Sequence, residues 1–149
     1  MWFRKSTPLF STSEIQSIQQ KVKLSEANTS GEIRIYIEMN CRWMEPVRRA
    51  AEIFHELRMF QTVNRNAVLI YLAYADHDFA LYADKGIYTH AAPGFWELEA
   101  KKLARSFHQK AYMDGLSGTI DAVGKLLTQH YPLHGENKNE LPDEIIFGK

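Results

Sequence analysis

Glu32, Asn66 and Asp84 carry the donor types from which a cation site can be built. Two carboxylates and an amide oxygen are hard ligands suited to calcium or magnesium. Glu32 opens one apolar segment, Asn66 precedes a second and Asp84 follows a third, so a sheet made of the three gathers them at one end. Glu38, Asp76 and Asp78 form an alternative set at the opposite end, with Asn40 and Glu45 beside them. That end lies beyond the carboxyl ends of parallel strands, where open α/β sheets commonly bind ligands. Plainer readings stand beside both sets. Asn66 and Gly31 can shape turns, Glu32 and Asp84 can be solvated carboxylates, and Asp76-His77-Asp78 can be a polar hairpin turn with Glu45 at a helix start.

The segments that position these groups follow from hydrophobic periodicity. Residues 67–75 form the longest unbroken apolar run, which suits a central strand covered on both faces. Residues 79–83 return as a second hairpin strand after the turn at 76–78. Residues 32–38 alternate strictly: Ile33, Ile35 and Ile37 on one face, Glu32, Arg34, Tyr36 and Glu38 on a face expected to be at least partly wet. Val47, Ala50, Ala51, Phe54 and Leu57 mark an amphipathic helix between these strands, which makes a right-handed parallel βαβ unit. Ser11 and Glu14 have capping-box spacing before an earlier helix carrying Ile15, Ile18 and Val22. Residues 86–94 read as a loop, 95–108 as a helix with Trp96 and Phe107 in the core, and 111–115 as a break. A last helix carries Leu116, Ile120, Val123 and Leu127, and Pro132 ends it. The fold class is a three-layer α/β domain: a small mixed sheet, parallel βαβ unit plus antiparallel hairpin strand, between about four helices. The domain spans 1–133, with 1–10 docking on it; 134–149 is a polar tail in which Ile145, Ile146 and Phe147 either re-dock or add a short strand.

Composition narrows the function classes. Eighteen basic residues balance eighteen acidic ones without a basic cluster, so no nucleic-acid partner is expected. Cys41 is the single cysteine, which excludes an internal disulfide and thiolate-rich zinc sites; it reads as a partly buried small hydrophobe. The opening MWFRKSTPLF is too short in its apolar part for a signal peptide, and no run reaches the ~20 apolar residues of a membrane helix. The expectation is a soluble, cytoplasmic protein without membrane insertion.

Four short motifs stand in order: Thr29-Ser30-Gly31-Glu32-Ile33, Asn66-Ala67-Val68-Leu69-Ile70, Asp84-Lys85-Gly86-Ile87 and Tyr112-Met113-Asp114-Gly115-Leu116. In this order and spacing the chain resembles the TPM domain family over about residues 10–131. That family includes a thylakoid-lumen acid phosphatase, a photosystem II repair protein and a modulator of acetylcholine receptors. The resemblance implies a compact α/β fold, divalent-cation binding, calcium especially, and phosphatase activity in some members. It points to the Glu32, Asn66 and Asp84 end, with Asp114 approaching from a helix start. The chain departs from the family where Ala67 replaces the usual glycine and where Tyr88-Thr89-His90 replace a usual acidic residue.

No Walker-type loop, no cysteine followed five residues later by arginine and no serine elbow offers a phosphatase nucleophile. His130 and His134 are four apart, but Pro132 breaks the helix that would align them. The sequence therefore reads as a TPM-type domain that binds calcium or magnesium in a binding or regulatory role. A weak metal-dependent acid phosphatase is the alternative, and a protein-interaction domain without metal, with a protein partner, is the third.

Overall fold

A computed structural model describes residues 9–41, 43–133, 135, 141 and 145–148. The order is α1 (Thr12–Glu26), β1 (Glu32–Glu38), α2 (Pro46–Glu56), β2 (Ala67–Ala73), β3 (Asp78–Ala83), α3 (Lys85–Tyr88), α4 (Phe95–His108), α5 (Tyr112–His130) and β4 (Ile145–Phe147). The sheet order is β3-β2-β1-β4. β1 runs parallel to β2 in the register Glu32 to Ala67, and β2 pairs antiparallel with β3 in the register Val68 to Ala83. The three-layer mixed sheet is the expected one.

Two cores lie on its two faces. Ile33, Ile35, Ile37, Val68, Ile70 and Leu72 pack with α1, α4 and α5, whereas Leu69, Tyr71 and Ala80 pack with Ala50, Ile53 and Phe54 of α2. Every residue of β2 is buried, which explains why its sequence lacks alternation. The capping box of α1 forms as expected, with Ser11 Oγ accepting from Glu14 N and Glu14 Oε1 accepting from Ser11 N.

Three local expectations are corrected. The β1 face expected to be at least partly wet is largely closed: Glu32, Arg34 and Glu38 are buried because α2 and Leu141 cover that side, and Tyr36 is half-buried. The expected loop 86–94 begins with the short α3, which Asp84 caps by accepting from Lys85 N at 2.7 Å. The break expected at 111–115 is confined to 109–111, where Lys110 takes φ 62°, and α5 starts at Tyr112. Of the open alternatives for Ile145, Ile146 and Phe147, the added strand is the one found, parallel to β1. Phe10 is buried edge-on against Phe107 and Tyr112. Residues 1–8 of the proposed docking segment, and residues 134, 136–140, 142–144 and 149 of the tail, lie outside the described residues.

Candidate functional site

At the amino ends of β1 and β2 three turns meet. Thr29 Oγ1 donates to Tyr131 O at 2.6 Å and accepts from Gly31 N at 3.0 Å, while Ser30 N also donates to Tyr131 O. The Tyr131 hydroxyl donates to Gly86 O at 2.5 Å, so the end of α5 ties the turn before β1 to the turn after β3. Ser30 Oγ accepts from the side-chain amides of Asn64 and Asn66, each at 3.3 Å, and Glu32 N donates to Asn66 O. Gly86 is required by contact: a Cβ there would lie 2.1 Å from Asn64 O and 2.5 Å from Arg65 O, both main-chain atoms that cannot turn aside. Gly31 is packed as tightly, 2.6 Å from a Leu127 methyl.

The side chains at this end divide by the pleat. Val68, Ile70 and Leu72 belong to the α1/α4/α5 core, so strand alternation turns Asn66 toward that side, where it meets Ser30. Alternation turns Glu32 and Asp84 toward the α2 side. Glu32 Oε1 accepts from Leu141 N at 3.4 Å. Asp84 is gripped bidentately by Arg65, at 2.7 Å and 2.9 Å. Asn66 is fully buried, yet its Oδ1 has no hydrogen-bond partner. Asp114 is elsewhere: α5 begins beside Phe107, which packs on Phe79 at the start of β3, so Asp114 lies at the opposite end of the sheet from Asp84.

The carboxyl end holds a buried ionic cluster. Arg49 donates to both Glu38 oxygens, at 2.8 Å and 3.0 Å, and its third arm reaches Glu52. The Tyr71 hydroxyl also donates to Glu38. Burial and the Glu38 contact push the Tyr71 hydroxyl far above its ordinary range, so it stays a neutral donor. Above the cluster, Asp76 bridges two loops by accepting from Asn40 Nδ2 at 2.8 Å and Cys41 N at 2.7 Å. The Cys41 amide and the Asn40 side chain hold the Asp76 carboxyl below its usual range. Burial raises Asp78, helped by the nearby Asp76. Burial likewise raises the Cys41 thiol, which donates to Met44 O at 3.2 Å; a small buried hydrophobe is the reading that fits.

Among the described residues no group of three or more histidine, cysteine, aspartate or glutamate side chains is placed to hold a metal. Sequence reasoning missed Arg49, Arg65, Tyr71 and Tyr131. Only the register could have paired them with Glu38, Asp84 and the turns, because nothing in their local sequence marks a partner.

The sequence matches the TPM domain over residues 4–126. The chain belongs to the TPM domain family. Its fold is similar to the NMR structure of the BA42 protein from the psychrophilic bacterium Bizionia argentinensis, at 33% identity and TM-score 0.84, covering 93% of this chain and 95% of that one. It also shares its fold with the N-terminal domain of the cg2496 protein from Corynebacterium glutamicum, at 12% identity and TM-score 0.61, over 79% of this chain and 74% of that one. No curated protein matches. In this TPM domain three of the four motifs, those around Gly31, Asn66 and Gly86, are the turns drawn together at the amino end; the fourth opens α5 at the other end. Among the described residues no helix is long and apolar enough to cross a membrane.

Proposed function

We propose that this TPM domain is a soluble, cytoplasmic binding or regulatory module that takes a hard divalent cation, calcium or magnesium, at the Asn66 end of its sheet. The observation that carries this reading is the orphaned Asn66 Oδ1. A buried acceptor left unpaired costs about 1–3 kcal/mol, and a side-chain amide oxygen is a hard donor of the kind that calcium takes. Asn66 Oδ1 is the proposed ligand on its face, while Ser30 Oγ, accepting from the Asn64 and Asn66 amides, holds the amide group in place. Glu32 and Asp84 supply negative charge from the other face, and Arg65 offsets that of Asp84.

The test is a titration of metal-free protein with calcium and then magnesium, followed through backbone amide shifts. Saturable shifts at Ser30, Glu32, Asn66 and Asp84, lost in Asn66→Ala, are expected. Shifts centred on Glu38 and on residues 76–78 would move the site to the carboxyl end, and no saturable shift at roughly millimolar metal sinks the cation reading. Release of phosphate from an aryl phosphate ester, dependent on the same metal, would favour the acid phosphatase. The metal-free interaction module has one observation of its own: Trp43 is fully exposed at φ 65°, with Met39 and Val47 half exposed, an arrangement suited to anchoring a protein partner.

A further inference from the structure

Pro132 denies His130 a partner one turn further along its own helix, and the fold supplies one from elsewhere. His130 is the last residue of α5, and His90 lies just beyond α3. Their rings stack with centroids 4.5 Å apart and planes inclined by 27°. Tyr131 explains the meeting. Its hydroxyl donates to Gly86 O and its ring stands edge-on to His90, so the end of α5 is pinned beside the segment after α3. Both main chains are fixed there: His90 N donates to Ile87 O at 3.1 Å, and Tyr131 N donates to Leu127 O at 2.7 Å.

Neither ring makes a hydrogen bond or an ion pair with any described residue. His55 differs, because its Nδ1 is engaged with Ala51 O at 2.8 Å. A neutral imidazole carries a lone pair on one ring nitrogen, so two adjacent rings offer two nitrogen donors. Imidazole nitrogen suits zinc and copper, whereas calcium and magnesium take oxygen. Two metal–nitrogen bonds of about 2.0–2.1 Å at a tetrahedral angle hold their nitrogens about 3.4 Å apart. Rings with centroids 4.5 Å apart are close to that span. His90 is exposed and His130 half-buried, so His90 is free to turn the remaining distance while solvent keeps access to the pair.

We propose that His90 and His130 form a two-histidine site for a borderline divalent metal, zinc or copper, with water in the remaining positions. It is distinct in donor type and in metal class from the Asn66 amide, and it stands whether or not that amide takes a cation. Copper binds the same nitrogens more tightly than zinc. Metal on both rings ties the segment after α3 to the end of α5. Only the folded chain brings the two rings together, so the metal stabilises the native state by mass action.

The test titrates the tag-free full chain with copper(II), whose paramagnetism broadens nearby amide signals, and with zinc in binding and melting experiments. Broadening is expected first at residues 89–91 and 129–131, and zinc should raise the melting temperature progressively. His90→Phe and His130→Phe each keep an aromatic ring for the stack and remove its nitrogens. Either one should weaken zinc binding about a hundredfold, because the second bond is intramolecular, and the double variant should be little worse than either single one. Metal-free amide spectra establish that each variant has folded. Asn66→Ala and an excess of calcium should leave zinc binding unchanged. Zinc binding that survives either phenylalanine variant overturns the proposal, as does copper broadening spread alike over His55, His77 and His108. Loss of zinc binding in Asn66→Ala alone would place the metal at the amide and overturn it equally.

Discussion

Removing the Arg49 guanidinium is the sharpest test of how this fold tolerates charge in its interior. Glu38 is 1% exposed and the Arg49 side chain 8%, so both ions have left water and each relies on the other. Two short parallel N–H to oxygen bonds, at 2.8 Å and 3.0 Å, form the strong fork geometry. Arg49→Met keeps most of the apolar stem and takes both guanidinium hydrogen bonds from the carboxylate. Breaking a buried pair from one side costs about 3–5 kcal/mol. The third arm, to the half-exposed Glu52, adds no more than about 0.5 kcal/mol. For a domain of this size, at roughly 2–4 °C per kcal/mol, the melting temperature should fall by about 6–20 °C. Replacing the group by neutral residues should reverse the loss. In the triple variant Arg49→Met, Glu38→Leu, Tyr71→Phe neither ion of this pair remains and the Tyr71 hydroxyl is gone with its acceptor, so it should be more stable than Arg49→Met alone. Urea and thermal unfolding of the three proteins measure this. A loss under about 1 kcal/mol for Arg49→Met, or a triple variant less stable than the single one, would refute a desolvated, mutually dependent pair.

Two further outcomes are expected. Within α5, Gly118→Ala adds a methyl with nothing within 4 Å and should stabilise by about 0.5–1 kcal/mol, whereas Gly115→Ala sets one 2.6 Å from Ser106 Cβ and should destabilise by about 1–3 kcal/mol. Thermal melts giving both changes the same sign would refute this packing of α4 on α5. Because the Asp76 carboxyl is held below its unfolded value, its bridge to Asn40 and Cys41 is fully present above about pH 4 and is lost as the pH falls through the depressed folded value. The Cys41 amide proton should report that step. A Cys41 shift that titrates at or above the ordinary aspartate range would contradict the bridge.

Period and turn chemistry made much of the fold legible. The unbroken run of β2, the alternation of β1 and the Ser11/Glu14 box each encode a local structure, and local structure depends on neighbours a few residues away. α3 was hidden because one helical turn after Asp84 carries too few residues for a period to show. The buried second face of β1 was hidden because its cover comes from α2 and Leu141, the latter more than a hundred residues away in the chain. The candidate site divides in the same way. That Glu32, Asn66 and Asp84 come to one end of the sheet follows from the order and direction of the strands, which the sequence determines by itself. How their side chains are shared between two faces, that Arg65 holds Asp84 and that Asn66 keeps an unpaired oxygen were decided only by the tertiary structure. Strand direction follows from the order of the elements and from the helix or tight turn that joins them, but a hydrogen-bond partner is chosen by register and by whichever distant segment closes over it.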